Sequence, residues 1–591
     1  MKRNNLLRAI LLILTLTLLA GCTPPLSSTQ PDSTAPQATS AAAQTASPTA
    51  AASEAPDQQS SPLTDSNLNP PGTLPIAKEK ISLSVGVAQN VAIENWETNL
   101  QTLALEEAAN FDLSFVEFPS NDTEFLQKVE LMIMAGGNEL PDILLHPLGG
   151  QTNLVKYGQA GMIVPTTDYY KNLSYYTDQA TQGPQGTAMS KEELLSYVTA
   201  YDGSVYGVFA ISESLNNQYS RGRVMIYEPW LEALELEMPQ TTEEFVSVLT
   251  AFVQNDPNGN GQADEIGLVS YRDLMTANFI YALMSPFVYA QPDYWLVENG
   301  KIDVAFTQEG WREGLRFAKR LIDEGLLDPV SFTQDQTQMT AMISPDPATV
   351  GAFVRISSSN LSATDPKREQ YVGLPPLEGP SGLRQQCWVP ILPTIRMVIT
   401  KNCESPEAAF LFGDFMCSEE MSLWNRFGRE GIEWTQPEPG DRSLFESVGY
   451  KPTLKFVSNA WGTMQNVWWG TTGPHIISSY WNDGVVSSHD YSGGNYPASG
   501  AQKGIGLEIQ YAKKEGAVVG LVYNEQEQEV MTELHGTILT YMREYFTRFA
   551  MGDVSLDSDW DAYLAEFDRM GLSEVIAVTQ AAYDRQQAIS K

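Results

Sequence analysis

Apolar and polar residues alternate through Ile81-Ser82-Leu83-Ser84-Val85-Gly86-Val87, the period of a half-buried strand. Trp96, Leu100, Leu103 and Ala104 then recur at helical spacing and predict one buried face, and Leu113 to Phe118 reads as a second strand. Phe125, Leu126, Val129, Met132 and Ile133 form an apolar stripe along a helix predicted from about Thr123 to Ala135. Gly136-Gly137 stop it, and Pro141-Asp142-Ile143-Leu144-Leu145 predicts a third strand. Strand, helix, strand, helix, strand at this spacing implies a parallel sheet covered by helices. Such sheets hold ligands beyond the carboxyl ends of their strands.

Further along, Thr241 and Glu244 have the spacing of a capping box, and Phe245, Val248, Leu249 and Phe252 then share one face. Trp311 to Leu321 and Pro406 to Phe415 are further predicted helices. Trp560, Tyr563, Leu564 and Phe567 form a C-terminal stripe that Gly571 ends, and Leu572, Val575, Ile576 and Thr579 begin another. Trp230, Trp311 and Trp560 sit on such stripes and are assigned to the core. Between Trp461 and Tyr496, Gly, Trp, Tyr and Asn follow without period, which predicts loops with aromatic surfaces.

The N-terminus has a different pattern. Behind Lys2, Arg3 and Arg8, the apolar run Ala9 to Leu19 is too short for a stable membrane span. It closes on Leu19-Ala20-Gly21-Cys22, which resembles the lipobox of bacterial lipoproteins. That resemblance implies a signal peptide over residues 1–21, cleavage before Cys22, and acylation of its thiol. Two acyl chains anchor where one holds only marginally. Residues 22–77, rich in Ser, Thr, Ala, Pro and Gln, are expected to be a disordered, lipid-anchored spacer.

Charge and composition narrow the function. A net charge of −36 argues against nucleic acid and against lying flat on an anionic membrane. Apart from Cys22, only Cys387, Cys403 and Cys417 remain, so no disulfide framework is implied. No CxxC, HExxH, GxxxxGK[ST] or GxSxG occurs, and His146, His475, His489 and His535 are scattered.

Directly after the Thr241 helix stands Asp256-Pro257-Asn258-Gly259-Asn260-Gly261-Gln262-Ala263-Asp264-Glu265-Ile266. Oxygen-bearing side chains at alternate positions around a sharp turn at Gly261 suit a hard cation that gathers six or more oxygens. Asp256, Asn258, Asn260, Asp264 and Glu265 would ligate through side chains and Gln262 through its carbonyl, holding a structural Ca2+. The twelfth loop position is Gly267, so this is not an EF-hand.

A helix followed by this loop, behind a lipobox and a polar linker, resembles the large family 1 extracellular solute-binding proteins of bacterial ABC importers. Asn153-Leu154-Val155-Lys156-Tyr157-Gly158, Phe427-Gly428-Arg429-Glu430-Gly431-Ile432-Glu433-Trp434, and the end from Trp560 to Arg585 agree, so the likeness runs in order through residues 80–590. It implies an α/β fold of two lobes, each a sheet flanked by helices, closing on a solute by a hinge motion. Lobe one is expected over 78–200 and 336–400, and lobe two, with the calcium-like loop, over 201–335 and 401–591. The resemblance also implies a lipid-anchored monomer outside the cytoplasmic membrane. It would capture a carbohydrate and deliver it to an ABC permease.

Sugars offer apolar C–H faces and hydroxyl edges, which aromatic rings and polar side chains match. Trp461, Trp468, Trp469, Tyr480 and Trp481 with Asn482 and Asp483, Trp388, and Tyr219 near Arg221 have that composition. Trp434 enters only by its position in the family pattern. Arg221, Arg223, Arg355 and Arg396 suit either uronate carboxylates or surface ion pairs. Two alternatives stay open: a carbohydrate sensor for a membrane kinase, and a tethered carbohydrate-active enzyme with two facing carboxylates.

Overall fold

A computed structural model describes residues 63–589 except 220–221, 273–278, 290–291, 359, 363–364, 444, 458–463, 488–504, 515–516 and 519. The alternating segment forms the strand Ile81–Ala88, with Leu83, Val85 and Val87 buried. It pairs in parallel with Phe111–Phe118 on one side and with Ile143–Leu144 on the other. Between them run the helices Leu100–Ala109 and Asp122–Met134, capped by the side chains of Asn99 and Asn121. The second buries Phe125 and Val129 as the stripe predicts.

The first helix is rotated from expectation. Leu100 and Leu103 are exposed, whereas Gln101, Thr102, Leu105 and Ala109 are buried. The polar pair goes inside to meet Trp469: Gln101 Oε1 accepts from Trp469 N at 2.8 Å, and Thr102 Oγ1 accepts from Trp469 Nε1 at 2.9 Å, although Gln101 Nε2 is buried with no hydrogen-bond partner among the described residues.

Two sheets organise the rest. The six-stranded sheet runs Ile476–Ile477, Val208–Ser212, Thr394–Ile399, Ile143–Leu144, Ile81–Ala88, Phe111–Phe118, with Thr394–Ile399 antiparallel to both its neighbours. The four-stranded sheet runs Tyr371–Gly373, Val224–Tyr227, Val350–Val354, Ile266–Val269. Each has its own core. The helices Gly536–Met551, Trp560–Arg569 and Leu572–Ile589 contribute to the second. Trp230, Trp311 and Trp560 are buried there, as assigned. The capping box at Thr241 is formed, and Phe245, Val248, Leu249 and Phe252 are buried behind it.

The division between the sheets differs from the expected boundaries. Val350–Val354 and Tyr371–Gly373 pair in the second sheet, not the first. Residues Cys403 to Met421, Trp469 and Ile476 pack into the first core. Strand and helix periods identify elements, but sheet membership is decided by pairing between distant segments, which no local pattern carries. The folded part also begins before residue 78. Leu68, Ile76 and Ala77 lie in the first core, and Thr64 donates its N–H and hydroxyl to the Glu407 carboxylate. Cys387, Cys403 and Cys417 are buried free thiols. Cys22 lies outside the described residues.

Candidate functional site

The chain passes between the sheets at Glu213–Arg223, again between Gly373 and Thr394, and once more beyond Ser487. Where described, these crossings are hydrogen-bonded to one another. Gln386 N donates to Tyr511 O at 2.8 Å, Val389 N donates to Gln218 O at 2.9 Å, and Gln386 Nε2 donates to Tyr219 O at 2.7 Å. Tyr219, Phe445 and Ile505 are buried beneath them, with Trp388 and Tyr450 packed alongside. Tyr219 is therefore a packing residue of the junction rather than the ligand contact its sequence neighbourhood predicts.

Beside this junction a recess of about 610 Å³ is lined by Glu193, Tyr197, Glu213, Gln218, Trp388 and Ile391 among others. It lies at the carboxyl end of the Val208–Ser212 strand, the end at which open α/β sheets hold ligands. The buried Glu213 carboxylate accepts from Ala188 N at 2.9 Å and from Ser479 N at 3.2 Å. Burial raises its pKa while those two N–H groups pull it back. Trp388 is half-buried, its indole Nε1 is enclosed and has no hydrogen-bond partner among the described residues, and Lys514 stands 5.8 Å from its ring. An indole face, a phenol ring, carboxylates and an amide suit a ring that is apolar on its face and hydroxylated at its edge.

The aromatic cluster predicted from the aperiodic stretch is mostly core. Trp469 is fully buried, with Trp96 and Phe115 each 5.9 Å away edge-on. Trp468 is also buried, as is Trp434, whose Nε1 donates to Gly428 O at 2.9 Å. Asn482 and Asp483 are buried braces of the crossing. Asn482 Nδ2 donates to Glu213 O at 2.7 Å and its Oδ1 accepts from Arg426 Nε at 2.7 Å. Asp483 accepts from Leu215 N at 3.0 Å, and burial pushes its carboxyl up to about 7. A buried polar group must be hydrogen-bonded, so these side chains belong to the framework, not to a ligand face.

Tyr480 and Trp481 are half-exposed, and Trp481 lines a smaller recess of about 230 Å³ with Tyr176, Gln182 and Glu419. Trp461 and Arg221 lie outside the described residues. Arg223 is buried in an ion pair with Glu508, so it is closed to a ligand. Of the predicted ligand residues, Trp388 is the one that lines the recess at the crossings. Tyr197, Glu213 and Gln218 carry no such pattern in the sequence; the one available signal was Glu213, placed just after the apolar run Val208–Ile211.

The loop 256–265 is tied by its own polar groups, with Asn258 Nδ2 and Asn260 Nδ2 donating to the Asp264 carboxylate at 3.2 and 3.1 Å. Asp256 accepts from Asn260 N at 3.0 Å and Gly261 N at 2.8 Å, while Asn258 Oδ1 and Asn260 Oδ1 accept from Asn260 N and Gln262 N. Gly259 and Gly261, at φ 69 and 73, supply the left-handed turns. Glu265 Oε1 is buried with no hydrogen-bond partner, and burial together with the charges of Asp264 and Asp256 raises its pKa. Among the described residues none of these three carboxylates has an ion-pair partner. Nor are three His, Cys, Asp or Glu side chains gathered there as a metal set, so amide oxygens would have to supply part of any shell. A carboxylate with one unpartnered oxygen, raised by the charges of two others, fits a cation.

No family model matches the chain. Over 493 residues it is 25% identical to the fructooligosaccharide ABC transporter substrate-binding protein FusA of Streptococcus pneumoniae, covering 80% of this chain and 85% of that one. Over 286 residues it is 26% identical to the lipoprotein LipO of Bacillus subtilis, covering 48% of this chain and 53% of LipO. The solved structure of FusA with kestose superposes with a TM-score of 0.67 at 23% identity, covering 86% of this chain and 99% of that one. An extracellular solute-binding protein from Bifidobacterium longum subsp. infantis superposes with a TM-score of 0.69 at 19% identity, covering 86% and 98%.

Proposed function

Because this chain is a homologue of ABC-transporter substrate-binding proteins and has their two-lobed α/β fold, we propose that it captures an oligosaccharide and delivers it to an importer permease. The observation that carries the reading within this chain is the recess at the crossings, where the half-buried ring of Trp388 stands with Tyr197 and Glu213. A ligand held there touches the segments about which the lobes move, so binding and closure are one event. FusA binds fructooligosaccharides, which supports a carbohydrate for this chain.

The lipobox-like Leu19-Ala20-Gly21-Cys22 supports an anchor through Cys22 to the outer face of the cytoplasmic membrane, with the folded part already begun at Thr64 rather than at 78. Asp256, Asn258, Asn260, Gln262, Asp264 and Glu265 would hold a structural Ca2+, which neutralises the carboxylates and rigidifies the loop between the Thr242–Gln254 helix and the Ile266–Val269 strand.

Thermal unfolding of the full chain against a panel of oligosaccharides tests the receptor reading. A ligand at 100 times its Kd stabilises the fold by about 2.7 kcal/mol, a readable shift. A shift with the glycan recovered intact supports a receptor. No shift with any glycan sinks the carbohydrate assignment, and breakdown of the glycan restores the enzyme alternative.

A further inference from the structure

The smaller recess of about 230 Å³ beside Trp481 lies apart from the crossings, at the edge of the first sheet. Ile476–Ile477 is the edge strand of that sheet, bonded to Val208–Ser212. The helices Tyr176–Ala180, Glu419–Phe427 and Ser479–Asp483 each send side chains to the recess beside it. Among the described residues that line it, none belongs to the second sheet or its core. The loop 185–189 is the wall between the two recesses: Gln185 and Gly186 line this one, Ala188 and Met189 the one at the crossings.

Its lining is nearly neutral. In a chain with 72 acidic and 36 basic residues, Glu419 is the one charged side chain among the described residues that line it. The recess at the crossings, by contrast, holds Glu192, Glu193 and Glu213. The Glu419 carboxylate accepts from Trp481 Nε1 at 3.3 Å, and Tyr480 meets the indole edge-on at 5.1 Å, so the half-exposed ring is held in place. The rim is fixed as well: Ser478 Oγ donates to Gln185 O at 2.5 Å, and Gly186 N closes a turn on Gly183 O at 3.2 Å. The side-chain amides of Gln179, Gln182 and Gln185 line the recess, and none of them hydrogen-bonds another described residue. Each offers two N–H donors and a carbonyl acceptor. An indole, the phenol ring of Tyr176 and amides that both donate and accept suit a neutral ring, apolar on its face and hydroxylated at its edge. Volume decides the size: the recess falls below the roughly 300–1,000 Å³ of a drug-sized site, so it has room for one ring and not for an oligomer.

We propose that this recess is a second carbohydrate site, outside the cleft, which holds one neutral pyranose ring at the end or branch of a glycan. The ring's C–H face lies on Trp481 and its hydroxyls meet the glutamine amides. Because one lobe supplies the lining, the site binds without closure and does not rest on the oligosaccharide-receptor reading. Small and open to water, it holds its ring weakly, with a dissociation constant on the order of millimolar, and so samples a glycan instead of capturing it. The Glu419 carboxylate disfavours an acidic ring in the same place.

Saturation-transfer NMR on the full chain tests it, with the methyl glycosides of glucose, galactose and mannose as probes and methyl glucuronide as the charged control. The measurement is made on a Trp388→Ala background, which silences the recess at the crossings. The expected result is transfer to the ring C–H protons of at least one neutral glycoside, with the glucuronide at least fivefold weaker. Adding Trp481→Ala should abolish that transfer. Adding Gln182→Glu, at an exposed position, should weaken it at least fivefold without disturbing the fold. Circular dichroism of each variant separates a lost contact from a lost fold. No transfer from any neutral glycoside on the Trp388→Ala background overturns the site, as does transfer that Trp481→Ala and Gln182→Glu leave unchanged. Either of those results leaves the receptor reading standing, since that reading turns on Trp388 and lobe closure.

Discussion

Arg223 and Glu508 meet as a buried bidentate pair, Nε on Oε1 and an Nη on Oε2, which fastens the first crossing to the helix Ile505–Gln510. Arg223 also donates to Asn216 Oδ1 at 2.9 Å and to Ile356 O at 2.6 Å, so one guanidinium gathers three segments. Removing one partner leaves the other charge buried and uncompensated. Glu508→Ala should cost about 3–5 kcal/mol in urea unfolding, and replacing both with apolar residues of similar volume should recover much of it. A Glu508→Ala chain as stable as the wild type would mean that the pair is hydrated.

Asp483 predicts a pH dependence with a definite sign. Its ordinary value of 3.8 is raised to about 7 by burial, so the folded state binds a proton that the unfolded state has released. The stability this proton confers is complete below about 3.8 and is lost as pH rises through about 7. His475, fully enclosed and pulled down to about 4, acts oppositely, its contribution being lost as pH falls through about 4. Comparing wild type with Asp483→Asn cancels such other titrations. The variant should gain stability relative to wild type at pH 8 and lose that advantage by pH 5; a difference flat in pH would refute the assignment.

Trp388 and Trp469 should behave as opposites. Trp388→Ala removes a ring from the recess and should weaken oligosaccharide binding at least tenfold, about 1.4 kcal/mol, with a smaller loss of stability than Trp469→Ala because the ring is only half-buried. Trp469→Ala empties a fully buried site and should cost about 3–5 kcal/mol of stability. Titration and thermal unfolding on both variants read the two effects, and a reversed pattern would return the ligand site to the aromatic stretch near Trp469.

Chelation tests the loop. Adding EDTA to the calcium-loaded chain should lower its Tm, and Asp264→Asn should arrive already lowered and indifferent to EDTA. Calcium at 100 times its Kd corresponds to about 2.7 kcal/mol of stabilisation. A wild-type Tm unmoved by both calcium and EDTA would leave the loop as a self-satisfied turn.

Local order was legible in the sequence; long-range partnership was not. Val85 and Val87, the Phe125 stripe and the Thr241 capping box each announce themselves within a few residues, because strand and helix periods are local properties. Trp469 and Trp388 look alike in sequence, each an indole near amides. What separates them is that Trp469 is fully buried with its N–H on Thr102, whereas Trp388 is half-buried and lines a recess. Gln182 and Trp481 are far apart in the chain, and only the fold brings them to one recess. Leu100 and Leu103 mislead for the same reason: their helix turns its polar side inward to meet Trp469.

The place of Thr394–Ile399, between Val208–Ser212 and Ile143–Leu144, bears on the order in which the molecule assembles. As a chain lengthens from its N-terminus, Ile81–Ala88 and its partners lie ready early, yet their sheet stays split until that strand arrives. The four strands of the other sheet all fall between Val224 and Gly373, so every one of them has emerged by then. The lobe that begins second is thus able to finish its sheet first. A nascent chain that has emerged from the ribosome as far as about residue 380 would carry one closed sheet and one still open at its middle, with unpaired edges exposed to any chaperone or aggregating neighbour.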